Sequence, residues 1–435
     1  MVNFLRRTLT LASIGAALTV GLASALDTPG DGGLVLLARK VVTGSFEGDG
    51  VINNGAVVIR NGLIEAVGRR VDVKVPDGYL VEDLGDLWIT PGMIDLHCHV
   101  AMGMQDLSES AYLTNPGMRA SVGVIPGNTN LLNAVAGGVT TVLHIPGSAT
   151  NMGGQGVLLR TASSSFEEAL VRDPGSLKLA QAGNPERCAP WNPRRSFMNY
   201  NTRSTFRRGV AYARRWAAFE AGTGEKPERD LQFDIFRSLY KGEAQVSTHT
   251  QIYQVVLMTL TMVAEDFKLP VYIDHGTFDG WRAAAKAQEL GVAAILGPRA
   301  ITLGMNSPGF ASYDQDGAIF GVAAQYQKLG HQRVGFNTDC VGPLGRGIAQ
   351  EELGLQAAMG VRYGVDNSEP YGMRGVTSVP AEAAGLDHRL GRVHPGLEAD
   401  LVISTGDPTD PRSSVERVYQ AGRLVYDTRV QGRRF

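Results

Sequence analysis

The sequence predicts an α/β fold: a closed (β/α)8, TIM-like barrel carried with a small discontinuous β-sandwich domain that both ends of the chain build together. Three observations lead there. From Leu34 to Leu87 short strand-like runs are separated by turn signals. From Thr90 to about residue 385, short apolar strands alternate with helical stretches, and near residue 390 the all-β texture returns. Strands alternating with helices imply βα units and a parallel sheet, and a span of roughly 300 residues suits a closed barrel better than an open sheet. With 435 residues, 43% hydrophobic and 19% charged, the chain can bury one large core and a smaller one. A formal net charge of −2 offers no basic excess for a nucleic-acid partner, so small molecules or short peptides are the expected ligands.

Taken in order, residues 1–25 read as a signal peptide. Arg6 and Arg7 precede the apolar run "TLTLASIGAALTVGL", and the small residues "ASA" end at Ala25. The run is short for a membrane span and no stop-transfer pattern follows, so the expected location is periplasmic or secreted, without a stable span after cleavage. The paired arginines leave Sec and twin-arginine export both open. Three cysteines, Cys98, Cys188 and Cys340, are too few to frame an exported fold by disulfides.

Residues 26–89 form the first part of the β domain, with Asn61-Gly62 as a hairpin turn. The barrel is expected over 90–385. It opens on "TPGMIDLHCHV", where Pro91-Gly92 marks the turn out of the β domain and the run to Leu96 is core. The stretch Glu186 to Arg237 is dense in arginine and aromatics; it reads as a solvated helix with a loop, or as a substrate-facing lid in which Arg203 holds a carboxylate. The glycine-rich "PGSATNMGGQG" lacks the Gly-Lys-Ser/Thr of a phosphate loop and reads as a strand-to-helix loop. Residues 386–435 return to the β domain through "ADLVIST" and two runs about Gly422.

The ionisable residues gather at strand ends. In a strand His97 and His99 share a face while Cys98 points away, and two neutral imidazoles side by side suit a divalent metal. Satisfied core histidines would look the same in isolation. His249 closes "AQVSTH", His275 closes "LPVYIDH" and Asp339 closes "RVGFNTD", which in a β/α barrel are active-site positions. Lys178 lies in the apolar run "SLKLAQAG", one of eight lysines against thirty-three arginines. A buried ammonium is costly, so a deprotonated, carboxylated amine explains it better than a snorkelling side chain does.

Together these residues resemble the amidohydrolase superfamily, and the opening stretch matches its first-strand motif Pro-Gly-x-Ile-Asp-x-His-x-His. "GGVTTVLHIPGSATNMGGQG", "LKLAQAGNPER" and "GRVHPGLEADLVI" are similar to the imidazolonepropionase-like exported branch. The resemblance implies that His97, His99, Lys178 and Asp339 hold one metal, and that His249, His275 and a shared N-carboxylated Lys178 hold a second. Zinc suits such ligands, as manganese, iron or cobalt would. Two bridged cations would activate a water to attack a carbonyl, with Asp339 as general base. Two departures stand out. "GTFDG" after His275 lacks the His-x-x-Glu of deaminases, and His144 replaces an apolar residue, as a substrate contact or a buried hydrogen-bonded histidine. The expected reaction is hydrolysis of a C–N amide bond, in a small peptide, an N-acyl amino acid or a cyclic amide. Hydrolysis of a lactone or other ester on the same site, or a noncatalytic binding role, remains open here. So does a pairing of Cys98 with Cys340, whose strands would adjoin in a closed barrel.

Overall fold

A computed structural model describes residues 32–188, 192–297, 301–303, 319–341 and 349–434. The expected signal peptide lies outside the described residues. Among them no helix is long and apolar enough to cross a membrane.

One of two eight-stranded sheets is the barrel, and its strands are numbered here in chain order. They are β1 (Met93–Cys98), β2 (Val139–His144), β3 (Met152–Arg160), β4 (Leu170–Ala180), β5 (Gln245–Thr250), β6 (Val271–His275), β7 (Ala294–Leu296) and β8 (Val334–Phe336). They follow one another around the sheet in sequence order. Closure comes just beyond the ladder ends: the Asp339 amide donates to His97 O at 2.9 Å and the His99 amide to Cys340 O at 2.8 Å. Cys98 and Cys340 are thereby backbone partners across the seam, and they are not disulfide-linked.

The barrel departs from an all-parallel (β/α)8 pattern at one strand. β3 runs antiparallel to both β2 and β4, while the other neighbouring pairs are parallel. The cause is the connection: residues 145–151 are too few for the crossover that a parallel return requires, so the chain doubles back directly. The reading of "NMGGQG" as a loop is corrected accordingly, because Met152–Gly156 lies in a buried strand. Gly154 is needed there, since its φ is +118° and a Cβ would sit 2.7 Å from Met118 O.

The second sheet joins both ends of the described chain. Trp88–Pro91 pairs antiparallel with Leu401–Ser404, in the register Leu401 to Pro91. Two hairpins of left-handed turn residues, Asn61-Gly62 and Ala421-Gly422, fold its strands back on themselves. Ile89, Leu401 and Ile403 are fully buried in its core with Val57 and Ile59. From Pro91 the chain passes straight into β1 through Gly92, where a Cβ would collide with Thr140. This short joint places the entry strand of the barrel without slack.

Helices cover the barrel wall. The helix Arg195–Glu220 buries Phe206, Val210, Tyr212, Ala213 and Trp216 in a cluster that includes Leu177 and Leu179 of β4. Its arginines face outward, as the solvated-helix reading of this stretch expects.

Below the seam, Asp95 of β1 is fully buried and accepts four hydrogen bonds. Thr338 Oγ1 donates at 2.6 Å, Gln350 Nε2 at 2.7 Å, and the amides of His97 and Thr338 at 3.0 and 3.3 Å. Replacing Asp95 by alanine orphans these buried donors, each worth about 1–3 kcal/mol. Thermal unfolding of Asp95→Ala should show a loss of at least ~3 kcal/mol, with Asp95→Asn intermediate; a wild-type melting temperature would contradict this account of the seam.

Candidate functional site

The six residues expected to be ligands come together at the carboxyl ends of the strands. His97 is the penultimate residue of β1 and His99 lies just past its end; Lys178 lies near the end of β4, His249 near the end of β5, and His275 ends β6. Asp339 stands just past β8, held by the seam hydrogen bond to His97 O. His275 and Asp339 both take left-handed backbone angles, with φ of +71° and +48°. Such angles are costly for residues other than glycine, and cluster where surrounding structure imposes them.

Each imidazole is oriented by what its other nitrogen touches. His99 Nδ1 donates to Ile145 O and His275 Nδ1 to Gly297 O, both at 2.7 Å. A carbonyl only accepts, so in a neutral ring the proton is on Nδ1 and the lone pair on Nε2. His97 Nδ1 lies 2.7 Å from Asp274 Oδ1, off the line of a straight hydrogen bond and with no other partner. His249 Nδ1 meets Ser148 Oγ at 2.9 Å and His275 Nε2 at 2.8 Å.

The lone pairs therefore converge. Asp339 Oδ1 sits 3.2 Å from His97 Nε2 and 3.3 Å from His99 Nε2, and one ligand atom from each of these residues falls within 4.8 Å of the others. Lys178 Nζ is 3.3 Å from His97 Nε2. The His97 and His275 rings lie 4.4 Å apart, as do those of His249 and His275. Three acceptor atoms facing one another, two imidazole and one carboxylate, repel unless a cation or a proton lies between them. The donor set of imidazoles and carboxylate fits a divalent transition metal.

Burial sets the charges. It holds His97 and His275 down to about 4, lowers His99, and lowers His249 furthest, with neighbouring positive groups adding to the effect. Burial also lowers Lys178, although Asp274 and Asp339 oppose it. For Asp339 burial acts upward, but His97, His99 and His275 outweigh it and hold the carboxyl well below the usual range. Neutral imidazoles around an ionised carboxylate are the ligand forms that metal requires.

Two residues expected at the site lie apart from this cluster. His144 is the strand partner of Cys98, so it shares the face turned away from His97 and His99. It is buried and its Nδ1 accepts from the Ala101 amide at 3.2 Å, the buried hydrogen-bonded alternative. Arg203 is on the outward face of its helix, 2.8 Å from Asp266 in an exposed ion pair. Two site residues were not anticipated. Asp274 carried a legible signal, a charge inside the apolar run "LPVYIDH" of the same kind that singled out Lys178. Ser148 carried none, being one polar residue in a glycine-rich turn.

No family model matches the chain. Over 419 residues it is 24% identical to amidohydrolase tasK of Hapsidospora irregularis, covering 86% of this chain and 40% of tasK. A 53-residue stretch is 47% identical to imidazolonepropionase of Pseudomonas entomophila, which is 12% of this chain and 13% of that enzyme. The chain thus spans less than half the length of tasK in this match. The crystal structure of an amidohydrolase from Thermotoga maritima superposes with a TM-score of 0.76 at 27% identity, covering 91% of this chain and all of that one. Barrel, attached sheet and His-His-Asp cluster define the class, and these likenesses name it. Together they support placing the chain with the amidohydrolase superfamily.

The pKa shifts predict how stability responds to acid. His144 and His331 lie outside the cluster, and burial holds them at about 3 and about 4. Between pH 6.5 and 4 the unfolded chain binds protons at these rings that the folded chain does not, so stability falls as pH falls through that window. Asp95 and Asp274, raised by burial to about 6 and about 7, act in the opposite sense. Glu382 and Asp400 are raised as well, and six depressed imidazoles against these four raised carboxyls should leave a net loss of stability toward pH 4 in denaturant titrations. Equal stability at pH 7 and pH 4.5 would contradict the neutral-imidazole assignment.

Proposed function

We propose that the protein is a metal-dependent hydrolase of C–N amide bonds in small molecules, with short peptides, N-acyl amino acids and cyclic amides as candidate substrates. The observation that carries this reading is the convergence of unprotonated ligand atoms on Asp339 Oδ1 at the strand ends of a closed barrel. His97, His99, Asp339 and Lys178 would hold one divalent ion, and His249, His275 and Lys178 a second. Zinc suits this set, and N-carboxylation of Lys178 would make it a shared anionic ligand. The depressed basicity of the Lys178 amine favours that modification, because only the neutral amine adds carbon dioxide.

Divalent metal supplies Lewis acidity toward a carbonyl oxygen and toward water. The chain's own residues do the rest. His99 and His275 are fixed by Ile145 O and Gly297 O, so their lone pairs are aimed before substrate arrives, and Asp274 lies beside the outer nitrogen of His97. Asp339 is ionised and is the most exposed of the clustered groups, with 30% of its side chain accessible where His97 has none. Its carboxylate accepts the proton from the attacking water and returns it to the departing nitrogen, so that amide and water become acid and amine. The run ending at Ala25 supports export to the periplasm or medium as part of the same reading.

Metal analysis and a library of dipeptides, N-acyl amino acids and matched amide and lactone pairs test the proposal. At least one equivalent of transition metal and hydrolysis of an amide are expected; no metal and no turnover after replenishment would overturn it. Lys178→Ala should retain less metal than wild type. Asp339→Asn keeps a ligand oxygen but not the base, so kcat should fall by about 100-fold or more while metal content changes less.

A further inference from the structure

Asp274 is a carboxylate for which the packing of the barrel offers no reason. It is fully buried, one residue before His275, on a strand whose other inward side chain, Tyr272, already fills the interior and donates to Leu96 O at 2.9 Å. Its Oδ2 has no hydrogen-bond partner, and Asn337 Nδ2 reaches Oδ1 only at 3.4 Å, while making a shorter bond to Ile295 O at 2.7 Å. Burying such a group without full compensation is costly, so a chain that keeps it gains something specific.

What Asp274 does touch is His97, at 2.7 Å from Nδ1. The same contact distance recurs at His99 and His275, but there the acceptors are the backbone carbonyls of Ile145 and Gly297. His99 and His275 are thus held in one tautomer by a carbonyl, and at His97 the same place beside Nδ1 is taken by Asp274, out of line for a straight hydrogen bond. Only at His97 is the acceptor a charged side chain, and His97 is also the ring whose Nε2 faces both Asp339 and Lys178.

We infer that Asp274 is a positioning residue that holds the His97 proton on Nδ1 and turns the Nε2 lone pair into the cluster as its strongest neutral donor. This inference rests on the metal-site reading given under the proposed function. A carboxylate behind an imidazole raises the ring's strength as a ligand and fixes its orientation, and loss of such a partner typically weakens metal binding 10–100-fold. Asp274 itself binds no substrate and moves no proton to it.

Two measurements test this, one of them independent of metal. In metal-free protein labelled with nitrogen-15 histidine, the His97 ring, assigned with a His97→Gln variant, should carry its proton on Nδ1. In Asp274→Ala that preference should be lost, while His99 and His275 keep theirs. Zinc affinity, measured by competition with a chromophoric chelator, should fall 10–100-fold in Asp274→Ala. Asp274→Asn, whose Oδ1 still accepts from Nδ1, should recover most of both, and it serves if the alanine variant does not fold. An unchanged His97 tautomer in a folded alanine variant, or zinc binding as in wild type, would overturn the role of Asp274. An asparagine variant as impaired as alanine would also overturn it. Wild-type protein that shows the tautomer but binds no zinc would sink the metal reading and leave the positioning of His97 standing.

Discussion

Two hydrogen bonds across one seam, Asp339 N to His97 O and His99 N to Cys340 O, are the constraint on which the rest of this molecule depends. They turn an eight-stranded sheet into a barrel, and they do so with the backbone atoms of the residues whose side chains make the site. Closure and site assembly are therefore one event. Asp95 reinforces the seam from below, tying β1 to Thr338 and Gln350. The left-handed backbone at Asp339 persists because the seam over-determines it, and it aims the carboxylate at the imidazoles of His97 and His99.

Burial then decides the chemistry. Imidazoles placed in a dry barrel mouth lose their charged form, while the Asp339 carboxyl stays well below its usual range. The result is a set of lone pairs and one negative group with no proton to share, which is poised for a cation. The orienting contacts matter as much as the ligands. Ile145 O and Gly297 O fix the tautomers of His99 and His275, and Asp274 stands beside His97 Nδ1 in the corresponding place.

Much of this was legible beforehand. The alternating periodicity located the barrel, the flanking β texture located the second sheet, and His97, His99, Lys178, His249, His275 and Asp339 stood out because charge at the end of an apolar run needs an explanation. Where the reading failed, it failed for local reasons. Glycines mark turns and tight strands alike, so "NMGGQG" read as a loop although the backbone of Met118 presses against it as a strand. The acid of Asp274 was overshadowed by the histidine beside it. Arg203 and His144 were chosen by residue type, and type alone does not say toward which face a side chain turns.

By itself, then, the sequence determined the class of fold and the membership of the cluster, because hydrophobic period and misplaced charge are written residue by residue. Only the tertiary structure decided the direction of β3, the closure at Cys98 and Cys340, and which nitrogen of each histidine faces inward. Those depend on contacts between segments far apart in the chain, where a carbonyl such as Gly297 O or a carboxylate such as Asp274 sets a proton's place by distance and angle alone.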